Sequence, residues 1–199
     1  MNFKQTQAIE LESWKPDPDK IQREIIRYPL LKKQMGLNYL DTSDMVIADI
    51  GCGPLGGVSS IMNAKRIVRI DPLGEEYAKY YPQYNMVSSK AESLTESLTM
   101  FDLIIVTNAL DHFDQPEVFL KNLVEYMKPG AYFASLHAIN NAYSHKHEAH
   151  QHNVNPEMIH EYLNKDFEFV WELDYQQDNL VYGWKKQPAH AFLARKSSY

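Results

Sequence analysis

The segment from Met45 to Gly57, MVIADIGCGPLGG, constrains the fold of this chain more than any other. An apolar run that contains one acidic residue, Asp49, leads directly into four glycines and a proline. A short apolar run of this kind is typical of a buried strand, and glycines let the backbone turn sharply and approach a ligand closely. The segment therefore predicts a strand that ends in a glycine-rich, ligand-binding turn, followed by a helix.

Short apolar runs alternate with helical patterns through most of the chain. The predicted strands of the alternating part are Met45–Ile50, Ile67–Asp71, Asn85–Ser88, Phe101–Thr107 and Ala131–Ala138. Two further strands, Phe167–Tyr175 and Ala189–Lys196, are joined by a turn-rich link too short for a helix, so we expect them to pair antiparallel. Alternation with short links predicts an α/β fold of three layers, in which helices cover both faces of a mostly parallel, seven-stranded sheet. The C-terminal antiparallel strand pair closes one edge of that sheet.

Three helices have recognisable sequence signals. Apolar spacing in DKIQREIIRYPLLKKQMGL predicts an amphipathic helix that is interrupted or kinked at Pro29. A second helix is expected from Asp114, with Asp114 and Glu117 as a capping box. A third begins at Asn155 and Pro156, with asparagine as the cap and proline at the first helical position.

Composition excludes several classes of function. The chain has 199 residues, which suits one α/β domain, and its net charge of −6 disfavours a nucleic-acid partner. A single cysteine rules out a disulfide within the chain and suits a reducing compartment. No apolar run is long enough for a membrane span, and the N-terminus lacks the apolar centre of a signal peptide. We therefore expect a cytoplasmic protein without a membrane partner, and the sequence indicates no oligomeric state.

The glycine-rich turn and a downstream acid form a nucleotide-binding pattern. Gly51-Cys-Gly-Pro-Leu-Gly56 fits G-x-G-x-x-G, and Asp71 ends the next predicted strand, 20 residues after Gly51. An acid at this position can accept hydrogen bonds from both hydroxyls of a ribose. NAD and S-adenosylmethionine both carry adenosine, so this pair of features does not distinguish them.

Asp49 favours a cationic ligand. It lies two residues before the first glycine, where a dinucleotide would bring its pyrophosphate. A carboxylate there repels a pyrophosphate and attracts an ammonium or sulfonium group. In the alternative interpretation Asp49 organises the loop by accepting backbone N–H groups, a role that is compatible with ligand binding.

These residues resemble those of a known enzyme family. Asp49-Ile-Gly-Cys-Gly53 together with Asp71 is similar to the motif of class I S-adenosylmethionine-dependent methyltransferases of the small-molecule type. Further segments resemble that family in its order and spacing, namely Lys90–Leu94, Phe101–Phe113 and Glu125–Gly130. The resemblance implies a Rossmann-like, doubly wound sheet. It also implies one methyltransferase domain over residues 1–199, with a helical cap at 1–40, a cofactor-binding core at 45–138, and an acceptor-side link, helix and hairpin at 139–199.

The resemblance further implies S-adenosyl-L-methionine as cofactor and S-adenosyl-L-homocysteine as product. The residues that it assigns to the cofactor are Asp49, Gly51, Cys52, Gly53, Asp71, Pro72, Ala91, Glu92, Asn108 and Ala109. The chain departs from the family at Lys90, where aspartate often bonds the adenine amino group. Glu92, a backbone carbonyl or water must then make that contact. The Cys52 thiol is expected to be unreactive.

The expected activity is methyl transfer to an O, N or C atom of a small-molecule acceptor. Asn108-Ala-Leu-Asp111 stands where the family's methyltransferases of nucleobase amino groups carry an Asn/Asp-Pro-Pro-aromatic tetrad. The same fold could also serve a carboxyl- or thio-directed transferase. A non-catalytic module that binds the cofactor or a metal is the alternative from another functional class.

Histidines are the candidates for catalysis. His112 follows Asn108 in a turn expected to face the cofactor, and His137 lies at the end of the fifth predicted strand. Six of the eight histidines fall between His137 and His160. This segment fits a solvated polar loop, an acceptor site with an imidazole base, or a metal site. The possible metal ligands are His145, His147, His150 and His152, but no cysteine supports them and we expect no designed metal site. Trp14 and Tyr28 could form an aromatic lid that excludes water.

Overall fold

A computed structural model describes residues 3–139, 152–177 and 187–198 of the chain. Its seven strands form one sheet in the order β3-β2-β1-β4-β5-β7-β6. The strands are β1 (Val46–Ile50), β2 (Arg66–Ile70), β3 (Met86–Val87), β4 (Leu103–Thr107), β5 (Tyr132–Ala138), β6 (Phe167–Gln177) and β7 (Gln187–Lys196). The α-helices are α1 (Phe3–Ser13), α2 (Pro18–Gln34), α3 (Gly74–Ala78), α4 (Pro116–Tyr126) and α5 (Pro156–Leu163).

The strand pairing confirms the predicted fold class. Strands β1 to β5 pair in parallel, whereas β7 runs antiparallel to both of its neighbours, β5 and β6. The strand order reverses between β1 and β4, which is the switch point where open sheets of this kind bind ligands. The site is therefore expected at the carboxyl ends of these two strands.

Both faces of the sheet are buried. Along β4, Ile104 and Val106 belong to an apolar cluster that includes α4 and α5, whereas Leu103 and Ile105 belong to a cluster that includes α2. Successive side chains of a strand point to opposite faces, so this division shows directly that helices cover the sheet on two sides. None of the described helices has the length and apolar content needed to cross a membrane.

One local prediction about a helix is wrong, and the interruption that was one alternative for another helix is absent. The glycine-rich turn leads into a short 3-10 helix at Val58–Ile61 instead of an α-helix, directly after two glycines with positive φ and before an extended Met62. Helix α2 is not interrupted at Pro29 but continues to Gln34. Asp17 caps its first turn, and buried residues on both sides of the proline hold the helix against the core.

The N-terminus of α4 is capped differently from the prediction. Its N-cap residue is Gln115, which makes no side-chain cap bond, and Asp114 instead forms an ion pair with Lys90 at 2.9 Å. The Gln115 N–H donates to Oε1 of Glu92 at 2.8 Å, so a distant carboxylate serves this end of the helix. The predicted start of α5 is confirmed, because Oδ1 of Asn155 accepts from the Met158 N–H at 2.9 Å.

Candidate cofactor and acceptor cleft

A cleft of about 350 Å³ lies at the carboxyl ends of β1, β2 and β4. The loops that follow these strands line it with Gly51–Gly53, Asp71–Leu73 and Asn108 together with Ala109. Helices α1 and α2 contribute the opposite wall with the side chains Phe3, Gln7, Glu10, Glu24, Arg27, Tyr28 and Leu31. The cleft therefore lies between the switch point of the sheet and the N-terminal helices.

Backbone geometry explains why glycines follow β1. A Cβ on Gly51 would lie 2.4 Å from Cβ of Ala109, so only glycine lets the turn pass the loop after β4. A Cβ on Gly57 would lie 2.6 Å from Oδ2 of Asp49, and φ is +61° there. Gly53, by contrast, has nothing within 4 Å of the corresponding position, which leaves space beside the backbone for a ligand.

Asp49 is a buried carboxylate with one oxygen left unbonded. The residue is only 1% exposed, and its Oδ2 accepts from the Ser59 N–H at 3.0 Å. Its Oδ1 has no hydrogen-bond partner among the described residues. Burial raises the pKa of Asp49 to about 6, even though the Ser59 hydrogen bond lowers it. One oxygen thus organises the loop, as the alternative interpretation proposed, and the other is left for a ligand.

Asp71 joins the loops that follow β1 and β2. Its Oδ2 accepts from the Gly53 N–H at 3.0 Å, and its Oδ1 accepts from the Leu73 N–H at 2.9 Å. Burial raises the pKa of this carboxyl to about 6 as well. Each oxygen of a carboxylate has two lone pairs, so both can still accept a ligand hydroxyl.

The charges that line the cleft favour a cation. Glu24 is paired with Arg27 at 3.0 Å, and Glu10 lies 3.2 Å from Nδ1 of His112. Within the described part of the chain, neither Asp49 nor Asp71 takes part in an ion pair. Two buried carboxylates without a paired cation attract a positively charged ligand and repel a phosphate.

The segment predicted to contact adenine is fixed by α4. The Asn122 side-chain amide donates to the backbone carbonyls of Glu92, at 3.0 Å, and Leu94, at 3.2 Å. Lys90 lies 3.9 Å above the ring of Phe3, in addition to its ion pair with Asp114. The lysine that replaces the family's aspartate therefore connects α1 to the loop before α4.

His112 lies in the cleft between two acids. Its Nδ1 is 3.2 Å from Oε1 of Glu10, and its Nε2 is 3.8 Å from Oδ1 of Asp111. Burial lowers the pKa of His112, but the two carboxylates outweigh this effect and raise the pKa to about 9. The imidazole is therefore a cation at neutral pH, and it could accept a proton only in more alkaline solution.

His137 lies in β5, outside the set of residues that line the cleft. Burial lowers its pKa to about 3, so the ring is neutral. Neither ring nitrogen has a hydrogen-bond partner within the described residues, and the ring centroid lies 5.4 Å from that of His190. Its neighbour Ala138 lines the cleft instead.

Every residue predicted to hold the cofactor lines the cleft, as do His112 and the two proposed lid residues, Trp14 and Tyr28. Three of the weak metal candidates, His145, His147 and His150, lie outside the described residues. His152 is described, and its N–H donates to the carbonyl of Asp111 at 3.3 Å.

Sequence reasoning missed the contribution of α1. Glu10, Gln7 and Phe3 line the cleft, but this helix has no apolar stripe that would have predicted its packing. Asp111 is not among the predicted site residues, although it is 2% exposed and lines the cleft beside His112. A signal for Asp111 was available, since an acid that follows an apolar strand by four residues lies at the ligand-binding end of the sheet.

Comparison with known proteins agrees with this geometry. Residues 48–135 match a family described as a methyltransferase domain. A ubiquinone biosynthesis O-methyltransferase of Rickettsia typhi is 30% identical over 114 residues, which cover 52% of this chain and 45% of that protein. The chain spans less than half the length of this and the next curated relatives that it matches.

Solved structures share the fold over a larger part of the chain. The N-methyltransferase NodS from Bradyrhizobium japonicum WM9, in complex with S-adenosyl-L-homocysteine, matches with a TM-score of 0.68. It is 18% identical, and the match covers 98% of this chain and 99% of that one. The [4+2]-cyclase SpnF has a TM-score of 0.60 at 14% identity, over 85% of this chain and 79% of that one. The match over residues 48–135 and the sheet topology agree with the resemblance of this chain to class I S-adenosylmethionine-dependent methyltransferases.

Proposed function

We propose that the chain transfers a methyl group from S-adenosylmethionine to an oxygen, nitrogen or carbon atom of a small-molecule acceptor. The observation that carries this proposal is the pair of buried carboxylates, Asp49 and Asp71, beside an open backbone position at Gly53; neither carboxylate forms an ion pair with another described residue. A cofactor with a ribose, an ammonium and a sulfonium complements all three features.

The residues of the cleft fit that cofactor. Asp71 would accept the ribose hydroxyls, and the unbonded Oδ1 of Asp49 would face the amino-acid end. Ala91 and Glu92 would lie along the adenine, while Asn108, which has a φ of +49°, would present its backbone near the reacting end. When bound, S-adenosylmethionine supplies a methyl group that its positive sulfur already activates.

Positioning and exclusion of water are the contributions left to the protein. Trp14 and Tyr28 line the cleft from the N-terminal side and would shield the reacting atoms from water. His112 holds its proton at neutral pH, so we propose that it donates a hydrogen bond to the acceptor and does not remove a proton. Holding two reactants in line is worth up to roughly 7–11 kcal/mol in favourable cases.

The cleft has a volume of about 350 Å³, at the lower end of the range for small-molecule sites, and the cofactor would occupy part of it. The curated relatives are named as O-methyltransferases, which makes hydroxyl compounds the first acceptors to test.

Calorimetry with S-adenosylmethionine and S-adenosylhomocysteine tests the cofactor. We expect both to bind, and Asp71→Asn to weaken binding by about 10- to 100-fold through lost charge-assisted hydrogen bonds. Asp44→Asn is the matched control, because Asp44 is exposed and outside the cleft. If neither compound binds, the proposal is wrong.

Transfer of a labelled methyl group to a library of hydroxyl, amine and activated-carbon compounds tests the reaction. The proposed reaction would be supported by a methylated product that the unmodified chain forms faster than Asp49→Asn does. Cofactor binding without transfer to any acceptor would instead favour a non-catalytic binding module, or other chemistry on the same fold, as in the [4+2]-cyclase neighbour.

A further inference from the structure

Three potential metal-ligand side chains converge where α5 meets β7 and β6, the two strands at one edge of the sheet. His160 of α5, Glu172 of β6 and His190 of β7 place one ligand atom each within 4.8 Å of one another. Nε2 of His160 lies 2.6 Å from Oε1 of Glu172, and Nε2 of His190 lies 3.4 Å from the same oxygen. None of the three lines the cofactor cleft.

Strand register explains why these side chains meet. The antiparallel pairing places Glu172 opposite Phe192 and Asp174 opposite His190. Residues two apart on a strand share a face, so all four side chains point to the same side of the sheet. Phe192 packs in the apolar cluster that contains α5, which brings His160 of that helix over the pair of strands.

His190 has the environment of a histidine that binds a metal. It is 1% exposed, and its Nδ1 lies 2.7 Å from Oδ1 of Asp174. Since a carboxylate can only accept, Nδ1 carries the proton and the lone pair of the neutral ring is on Nε2. That buried Nε2 has no hydrogen-bond partner among the described residues, and it faces the carboxylate of Glu172. A carboxylate behind the imidazole is the usual arrangement that orients a histidine toward a metal.

His160 is oriented in a similar way. Its Nδ1 lies 2.9 Å from Oδ1 of Asn164, and its ring lies over Phe169 with centroids 4.5 Å apart. Its Nε2 therefore points at the same Glu172 oxygen that His190 faces. Two imidazole nitrogens that converge on one carboxylate oxygen can be bridged to it by a proton, as in an N–H hydrogen bond, or by a metal ion.

We propose that Nε2 of His160, the Glu172 carboxylate and Nε2 of His190 form a binding site for a divalent first-row transition metal such as Zn²⁺. Two imidazoles and one carboxylate suit zinc and its neighbours, whereas Mg²⁺ and Ca²⁺ prefer oxygen ligands alone. Tetrahedral zinc with bonds of about 2.0–2.1 Å separates its ligand atoms by about 3.3 Å. Modest side-chain movements reach that spacing from the distances present, and a fourth position stays open for water or another ligand.

Metal at this site would tie α5 to the terminal strand pair. The proposal does not rest on the proposed methyl transfer, because it uses no residue of the cofactor cleft. It also differs from the histidines at 145–152, which the sequence singled out as weak metal candidates.

Titration calorimetry with ZnCl₂, together with metal analysis after dialysis, tests the site on the full chain. We expect one zinc ion per chain at this site, and a Mg²⁺ titration without comparable binding. Glu172→Gln and His160→Gln should each weaken zinc binding by at least about 100-fold, and Asp174→Asn by roughly 10- to 100-fold. The matched control is Glu168→Gln, which changes an exposed carboxylate of the same strand and should leave zinc affinity unchanged.

A second variant separates this site from the histidines at positions 145, 147 and 150. Replacing His145, His147 and His150 together with asparagine should leave the affinity for one zinc ion unaltered. Loss of that binding in the triple variant, or its persistence in the Glu172 and His160 variants, would overturn the proposal. Absence of zinc binding in the unmodified chain would do the same, and would mean that a proton bridges the cluster.

The two key variants are expected to fold. His160 and Glu172 have side chains 31% and 37% exposed, in contrast to the buried His190, so neither substitution opens the core. Thermal unfolding in chelator checks this, because the variants should then unfold at temperatures close to that of the unmodified chain. Added zinc should raise the unfolding temperature of the unmodified chain and of Glu168→Gln, but not that of Glu172→Gln.

Discussion

At the scale of single residues, Asp49 combines a cost in stability with a benefit in binding. Its charge is buried, and one oxygen lacks a hydrogen-bond partner among the described residues. Asp49→Asn should keep the bond from Ser59 and remove the charge. We expect the free energy of unfolding without ligand to rise by up to about 3 kcal/mol at pH 7, since burial has raised the pKa to about 6.

The same substitution should weaken binding of S-adenosylhomocysteine, because the ligand ammonium loses its carboxylate. Chemical denaturation and calorimetry on one preparation measure both effects. A variant that is less stable and binds as tightly as the unmodified protein would show that Asp49 only organises the loop.

Acidification should change stability and ligand affinity in opposite directions. Burial raises the pKa values of Asp49 and Asp71 from 3.8 to about 6, so the folded protein holds these protons more tightly than the unfolded chain. The contribution of these two carboxyls to the free energy of unfolding should therefore increase as the pH falls from about 6 to about 4, whereas His137, with a pKa lowered to about 3, contributes with the opposite sign. Over the same range the affinity for S-adenosylhomocysteine should decrease, as the carboxylates that attract its ammonium and accept its ribose bonds become neutral.

Denaturation and calorimetry at a series of pH values check these two trends. The raised pKa of His112 contributes no slope in this window, because a histidine is protonated in both the folded and the unfolded state there. Carboxyls with a lowered pKa, such as Asp102, oppose the trend only at the lower end of the window, because their stabilising contribution begins to be lost below about pH 5. Asp49→Asn should remove part of the slope in both measurements, and an unchanged slope would contradict the assignment.

At the residue scale, the sequence predicts where a side chain lies when that side chain has a fixed spacing from a motif in its own strand or turn. Asp49 and Asp71 could be assigned because each lies at a fixed distance from the glycines. The protonation state of His112 could not, because it depends on Glu10, a residue about one hundred positions away in a helix without an apolar stripe. No local pattern encodes that contact.

At the scale of elements, the attachment of α1 depends on polar contacts. Its only buried residue is Thr6, so apolar packing holds this helix weakly, whereas Glu10 reaches His112 at 3.2 Å. Glu10→Gln should lower the pKa of His112 from about 9 toward its usual value, since one of the two carboxylates that raise it becomes neutral. The stability contributed by the raised pKa, which is present below about 6.5 and lost as the pH rises through 9, should become smaller.

NMR titration of the His112 ring measures this change directly. Glu12→Gln is the matched control, because Glu12 belongs to the same helix and its side chain is 70% exposed. If the His112 pKa is the same in Glu10→Gln and Glu12→Gln, the ion pair between Glu10 and His112 does not attach α1.

Helix ends show why local signals succeed or fail. Asn155 caps α5 as predicted, because the acceptor and the donor lie within one turn of each other. The start of α4 uses Glu92, which is 23 residues away from the Gln115 N–H that it accepts. The local candidate, Asp114, forms an ion pair with Lys90 instead of a capping box, and the N-cap position is taken by Gln115.

At the scale of the whole molecule, the alternation of strands and helices was sufficient to predict a mostly parallel sheet covered by helices on both faces, although it did not assign the strand order. Each link that follows a parallel strand must cross the sheet, and the handedness of such crossings leaves few arrangements. The convergence of α5 with β6 and β7 was not predictable in this way. It depends on the register that places Asp174 opposite His190, and one residue of slippage would turn these side chains to the other face.

Two separate sites on one sheet should respond to ligands independently. The residues proposed to hold the cofactor follow β1, β2 and β4, whereas the proposed metal ligands lie on α5, β6 and β7. Hydrogen exchange measured by mass spectrometry should show S-adenosylhomocysteine protecting peptides from the glycine-rich turn and from α1. Zinc should protect peptides from α5 and the strand pair, because ligand binding raises the free energy of local opening only where that opening releases the ligand.

The same exchange measurement on one variant of each site tests whether the two sites are independent. Asp49→Asn should abolish the protection by S-adenosylhomocysteine and leave the protection by zinc intact, while Glu172→Gln should do the reverse. Zinc protection that spreads into the glycine-rich turn would contradict independence and would indicate that the edge strands transmit metal binding through β5, whose Ala138 lines the cleft. Because β5 lies between the two sites in the sheet, its peptide is the most sensitive reporter of such coupling.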